Sequence, residues 1–140
     1  MNKHVTFFNE ILTKSLATVD SEGNPNVCPC GSARMLDENK ICALSGYFDK
    51  TLKNLKNNAK AVFLAERPLE QQFIAHFEQT GEMPYPIGYR YYCTLTDISQ
   101  DEKAIEPWRN GLAAMTGNRI ANKINLLLTF ELKEIREIGL

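Results

Sequence analysis

At 140 residues the chain matches one ordinary domain and can bury a sizeable apolar core without disulfide or metal staples. Hydrophobic residues make up 44% and charged residues 24%, close to the globular average, which excludes a disordered or low-complexity chain. The net charge of −1, from 16 basic and 17 acidic side chains, excludes a general nucleic-acid binder, whose affinity needs a basic excess against phosphate.

In chain order, Val5, Phe7, Phe8, Ile11 and Leu12 recur at helical spacing and predict an amphipathic helix from His4 to Lys14. Leu16–Val19 is a short β-prone run ending in the turn formers Asp20–Pro25, and Asn26–Met35 reads as the second strand of that hairpin. Asp37–Lys40 makes another turn and Ile41–Leu44 a third strand. Gly46 then breaks the sheet. A helix follows from Lys50 to Asn58, with Leu52, Leu55 and Ala59 on one face and Asp49 as its N-cap. Ala61–Ala65 is apolar throughout, the pattern of a strand buried on both faces.

Leu69, Phe73, Ile74 and Phe77 predict a helix within Pro68–Gly81, ended by Met83-Pro84-Tyr85-Pro86. Tyr89–Ile98 alternates as a long strand. Asp101–Ala121 is helical in parts, with interruptions expected at Pro107, Gly111 and Gly117. Leu126, Leu128, Phe130 and Leu132 alternate with Leu127, Thr129, Glu131 and Lys133, the period of a half-buried strand. No repeat or linker interrupts this order, so residues 1–140 read as a single domain. About six strands joined by short turns imply an antiparallel sheet able to close into a barrel. The fold class is therefore mostly β, a barrel with peripheral helices.

The opening residues carry no apolar run suited to a signal peptide, and Asn125–Phe130 falls far short of the ~20 residues that span a bilayer. A cytoplasmic location, with no membrane partner and four reduced cysteines, is the expectation.

The stretch from Leu44 to Leu55 carries the most chemistry. A strand ends in a Gly-containing loop, and a helix opens with Lys50-Thr51. Free N–H groups and the partial positive charge of a helix N-terminus suit a phosphate, and the Thr hydroxyl and Lys ammonium add charge-assisted hydrogen bonds. The same residues also fit an ordinary solvated helix face, and the Asp49 carboxylate would compete with an anion there.

Leu16-Ala17-Thr18-Val19-Asp20, Gly23-Asn24-Pro25, Pro29 with Gly31-Ser32, and Lys50-Thr51-Leu52-Lys53-Asn54-Leu55 together resemble the pyridoxamine 5′-phosphate oxidase-like flavoproteins. The resemblance is sharp from Leu16 to Leu64 and looser beyond, where Gly88-Tyr89-Arg90-Tyr91 opens a further strand. It implies a six-stranded antiparallel split barrel that binds FMN at the interface of a homodimer. It places Lys50 and Thr51 on the FMN phosphate, with Asn54 and Lys53 nearby. It runs Pro29, Cys30, Gly31 and Ser32 along the flavin, and lines the other side with Leu44, Ser45 and Gly46, the glycine allowing close backbone approach.

The chain departs from the family's named enzyme in two places. It ends Phe130-Glu131-Leu132-Lys133-Glu134-Ile135-Arg136-Glu137-Ile138-Gly139-Leu140 without the arginine-rich segment that holds a vitamin B6 substrate, so pyridoxamine 5′-phosphate oxidase itself is not the expectation. The segment from Glu66 to Gly88 exceeds a simple barrel connection and has the length to fold over the flavin as a lid.

Cys28-Pro29-Cys30 lacks the spacing of a metal site. With Cys42 and Cys93, these residues read as buried free thiols or, alternatively, as a redox dithiol centred on Cys30. His4 and His76 have no motif around them, Trp108 reads as a packing anchor, and the tyrosines at 85, 89, 91 and 92 as packing residues. No G-x-G-x-x-G or Walker-type run occurs.

Two functions stand against each other. One is an FMN-dependent oxidoreductase or electron-transfer protein, with a nicotinamide, a deazaflavin or a partner protein as electron donor. The other is a module that binds flavin, haem or a deazaflavin without turnover. A structural dimer that has lost its cofactor is a weaker third, which Lys50, Thr51 and Asn54 argue against.

Overall fold

The computed structural model describes residues 2–46 and 49–139; Tyr47 and Phe48, inside the expected phosphate-site stretch, lie outside the described residues. Helix α1 (Lys3–Glu10) opens on Asn2, whose side chain accepts from the Val5 N–H at 2.9 Å. It stops at Glu10, short of the expected Lys14, because Lys14 already belongs to strand β1 (Lys14–Val19). The Lys14 ammonium bends back and donates to the carbonyls of Phe8 and Ile11, supplying the cation that a helix C-terminus favours.

The single strand expected over Asn26–Met35 is two. Strand β2 (Pro25–Pro29) pairs with β1, whereas β3 (Arg34–Met35) pairs with β4 (Lys40–Ser45). The Cys30–Ala33 turn between them lets the chain leave one sheet edge and reach the other. Helix α2 (Asp49–Asn57) begins at Asp49, so that residue lies in the first turn rather than capping it. Its carboxylate is favourable to the helix dipole in either position.

Strands β5 (Lys60–Glu66), β6 (Gly88–Ser99) and β7 (Leu126–Glu137) complete a seven-stranded antiparallel sheet in the order β2-β1-β5-β6-β7-β4-β3. This is the mostly-β class expected, with seven strands in place of six because one predicted strand divides. Register shifts at Tyr92/Cys93 and Leu95/Asp97 bend the long β6–β7 pair. Strand β5 is buried on one face only: Ala61, Phe63 and Ala65 point inward while Val62 and Leu64 stay half-buried.

The core is aromatic. Phe8 meets Tyr91 edge to face at 4.8 Å, and Phe63 meets Phe130 at 5.1 Å. The Tyr91 hydroxyl donates to the His4 carbonyl at 2.8 Å, tying α1 to the sheet.

Helix α3 (Gln71–Thr80) ends on Gly81 in the left-handed conformation and buries Phe73 against Tyr85. Helix α4 (Glu102–Thr116) runs unbroken through Pro107 and Gly111, contrary to expectation, and stops at Gly117 (φ 85°) before α5 (Asn118–Ala121). Pro107 is inside the helix and leaves the Lys103 carbonyl without its usual i+4 donor, a cost that the buried apolar face of the helix offsets, and the Gly111 Cα faces open space. Ile105, Trp108 and Leu112, spaced for one helix face, pack with Leu44, Ile124 and Leu127 into a second apolar cluster.

Candidate functional site

The Cys30–Ala33 turn and the end of β4 face α4 across a cavity of about 710 Å³. Six of the residues expected to meet a flavin come together in its wall: Pro29, Cys30, Gly31, Ser32, Leu44 and Gly46. The turn is braced from within. The Cys30 N–H donates to the Lys14 carbonyl at 2.6 Å, and the Cys30 carbonyl accepts from Ala33. The Ser32 hydroxyl accepts from the Leu44 N–H at 3.0 Å and holds the turn to β4. The N–H groups of Gly31 and Ser32 donate to no other group among the described residues.

Gly46 lines the cavity and also packs tightly against the chain itself. A Cβ there would lie 2.2 Å from the Lys123 carbonyl oxygen, so the close approach is to this chain's own backbone. Ser45 is buried outside the wall, its carbonyl accepting from the Asn125 N–H at 3.2 Å.

Lys50, Thr51, Lys53 and Asn54 stand apart from the cavity wall, on α2 against the β1–β2 hairpin. Lys50 is half-exposed, with its ammonium 3.5 Å from the Asp20 carboxylate. Asp20 organises the hairpin turn by accepting from the Asn24 and Glu22 N–H groups at 2.8 and 2.9 Å, and the Asn24 bond holds its carboxyl below the usual range. The Thr51 hydroxyl accepts from the Asn26 amide at 3.1 Å and touches the Cys28 thiol. Asn54, 1% exposed, donates to Thr18 at 3.1 Å, and its own Oδ1 has no partner among the described residues. Lys53 is exposed. Strand β2 joins the two halves: Asn26 and Cys28 face Thr51, and Pro29 reaches the cavity.

The pattern missed the other side of the cavity. Trp108, Leu112 and Met115 of α4 line it, as do Leu12, Lys14 and Arg34. The apolar spacing in α4 signalled packing; nothing local signalled that the same face also closes a cavity. Lys14 was hidden at the end of an overextended helix. Arg109 anchors α4 here by donating to the Ile124 carbonyl at 2.7 Å and pairing with Glu102 at 2.8 Å.

Burial pushes the Cys30 thiol up to about 12, with Cys28 adding to the effect, and burial pushes Cys93 to about 12 as well. Both are held as thiols, which opposes nucleophilic or redox chemistry at Cys30. His4 packs against Tyr89 at 4.7 Å, and neither histidine lines the cavity. Residues 66–88 border a separate, polar cavity with Phe7 and do not reach this one.

This arrangement can be compared with known proteins. The family model for pyridoxamine 5′-phosphate oxidase matches residues 1–136, and the chain belongs to that family. Its fold is shared by an FMN-binding protein from Syntrophomonas wolfei subsp. wolfei, at 21% identity over 99% of this chain and 85% of that one, with a TM-score of 0.76. The haem storage protein HutZ from Vibrio cholerae is similar at 16% identity, 94% and 89% coverage and a TM-score of 0.61. An F420 reductase is similar at 14% identity, 97% and 98% coverage and a TM-score of 0.64. No curated protein matches the chain significantly. Among the described residues no helix is long and apolar enough to cross a membrane.

Proposed function

We propose that this chain is an FMN-binding flavoprotein, an oxidoreductase or electron-transfer protein that works in the cytoplasm as a single-domain homodimer. The observation that carries the reading is the continuity of the two half-sites along β2. The turn of Pro29, Cys30, Gly31 and Ser32 walls a largely apolar cavity, and its Gly31 and Ser32 N–H groups have no acceptor among the described residues. The N-terminal turn of α2 lies at the other end of the same strand, with Lys50 half-exposed and Asn54 holding an orphaned, buried oxygen. The first half suits the ring of a flavin and its polar edge; the second suits a phosphate.

Bound FMN would supply the electron-transfer chemistry. The chain's part is to hold the ring against the turn and β4, to neutralise the phosphate through Lys50 and Thr51, and to exclude water with α4. A nicotinamide, a deazaflavin or a partner protein would deliver the electrons. Outward-facing Ala17, Val19, Val62 and Tyr92 border a shallow groove on the sheet and favour a second copy there.

Titration with FMN, read by the flavin absorption bands, tests the proposal in wild type, Lys50→Ala and the Lys50→Ala, Thr51→Ala double variant. Saturable binding that weakens in folded Lys50→Ala protein is expected. Wild type that takes up no FMN would overturn it. Haem and F420 titrated in parallel test the module reading; the absence of histidine from the cavity wall weighs against haem.

A further inference from the structure

We infer that the cavity between α4 and the Pro29–Arg34 segment takes a second molecule, an apolar body carrying a carboxylate, and that Lys14 and Arg34 bind that carboxylate. The role given to this ligand, a substrate beside the flavin, rests on the reading above; the binding claim rests on the cavity.

The volume of about 710 Å³ lies within the range of small-molecule sites. Trp108, Leu112, Met115, Ile120 and Leu12 make much of its wall apolar. Leu12 and Met115 are 72% and 71% exposed, large apolar side chains left to water at its edge. Among the described residues two charged side chains line the cavity, Lys14 and Arg34, and both are cations.

Neither cation has a carboxylate partner among the described residues. Lys14 is 1% exposed and spends two N–H groups on the Phe8 and Ile11 carbonyls, which leaves a third. Among the described residues Arg34 makes one long bond, 3.4 Å to the Asn9 carbonyl, and its guanidinium fork has no other acceptor. The two are close enough to repel each other: the Arg34 charge adds to burial in lowering the Lys14 ammonium to about 8.

A buried ammonium beside a second cation is costly without a counter-charge, and an anion at this end of the cavity relieves the repulsion. The guanidinium fork matches a planar carboxylate. A free inorganic anion would leave the apolar wall uncovered, so the carboxylate arrives on an apolar body that lies against Trp108 and Leu112.

Calorimetric titration with 2-naphthoate and its uncharged analogue 2-naphthamide, in protein without flavin and in protein incubated with FMN, tests this. The fluorescence of Trp108, the only tryptophan in the chain, gives an independent reading in the flavin-free form. The carboxylate should bind roughly tenfold or more tightly than the amide, as expected for charge-assisted hydrogen bonds. Arg34→Gln, a change at an exposed side chain, should cut that preference to about threefold or less while leaving the amide's affinity unchanged. Lys14→Met is the second variant, scored when circular dichroism shows it folded.

Equal binding of the two probes, binding of neither, a preference that survives Arg34→Gln, or displacement of bound FMN by naphthoate would each overturn the inference. Failure of FMN to bind would sink the flavin reading alone, because the naphthoate preference is measured in flavin-free protein too.

Discussion

The Cys28 sulfur lies 3.2 Å from the Thr51 hydroxyl oxygen, and this contact docks the first turn of α2 onto strand β2. The same hydroxyl accepts from Asn26, so two side chains of one strand, on one face, hold the helix at its N-terminus. The helix that would meet a phosphate is thus positioned by the strand that leads to the cavity.

Thr51→Val keeps the shape and removes the hydroxyl, leaving the Asn26 amide without its acceptor. Urea denaturation should show a loss of about 1–2 kcal/mol. An unchanged midpoint would mean that Thr51 does not anchor α2.

Two glycines on opposite sides of the cavity should respond in opposite directions. Gly46→Ala drives a Cβ into the Lys123 carbonyl, with no flexible side chain to yield, and should cost roughly 1–3 kcal/mol. Gly111→Ala meets nothing within 4 Å and lies inside α4, so it should stabilise by about 1 kcal/mol through helix propensity. Thermal melts of the two variants give both signs in one experiment.

Thiol labelling of the native protein should modify Cys28 first, since it is the half-buried cysteine and the other three are buried. Cys30, Cys42 and Cys93 are all held as thiols by burial and should react only as the chain opens. Rapid labelling of Cys30 at neutral pH would restore the redox-dithiol reading.

Stability should pass through a maximum near pH 9, within the windows set by Lys14 and the buried thiols. Lys14 is lowered from 10.5 to about 8 by burial and then by Arg34. Between those values the unfolded chain holds a proton that the folded chain has released, so this residue makes stability rise with pH. Cys30 and Cys93 act oppositely: raised by burial from 9.0 to about 12, they keep protons in the folded chain that the unfolded chain loses. Stability therefore falls across that range, and Tyr91, also raised by burial, adds to the fall. Urea midpoints measured across pH 7–11 should lose the early rise in Lys14→Met. A steady fall from pH 7 that Lys14→Met leaves unaltered would contradict this.

Arg109→Ala should loosen α4 over the cavity, because it removes both the Glu102 pair and the bond to the Ile124 carbonyl. Trp108, one residue away and half-buried, should then emit at longer wavelength. Unshifted emission would show that α4 is held by its apolar face alone.

Much of this architecture was legible in local pattern. Alternation marked the last strand, and apolar spacing marked α1, α2 and α3, since those periods report which face a segment buries. The quoted motifs from Leu16 to Leu55 carried the family, and Pro29–Ser32 with Leu44 and Gly46 do share one cavity wall. The errors fall where local signals compete with distant ones. Met35 read as continuous with Val27 because alternation does not register a change of partner, and β3 pairs with β4 instead. Pro107 and Gly111 read as breaks, yet the apolar face through Ile105, Trp108 and Leu112 carries the helix across both.

The order of residues along the chain set the periods, the turns, the helix that opens at Lys50-Thr51 and the family membership, because each depends on neighbours within a few positions. The placing of Lys14 and Arg34 on one cavity wall, the closing of α4 over the Cys30 turn and the contact of Gly46 with Lys123 arise only when distant segments meet. Those segments are brought together by burial of apolar faces, and burial has no address in any short stretch of sequence.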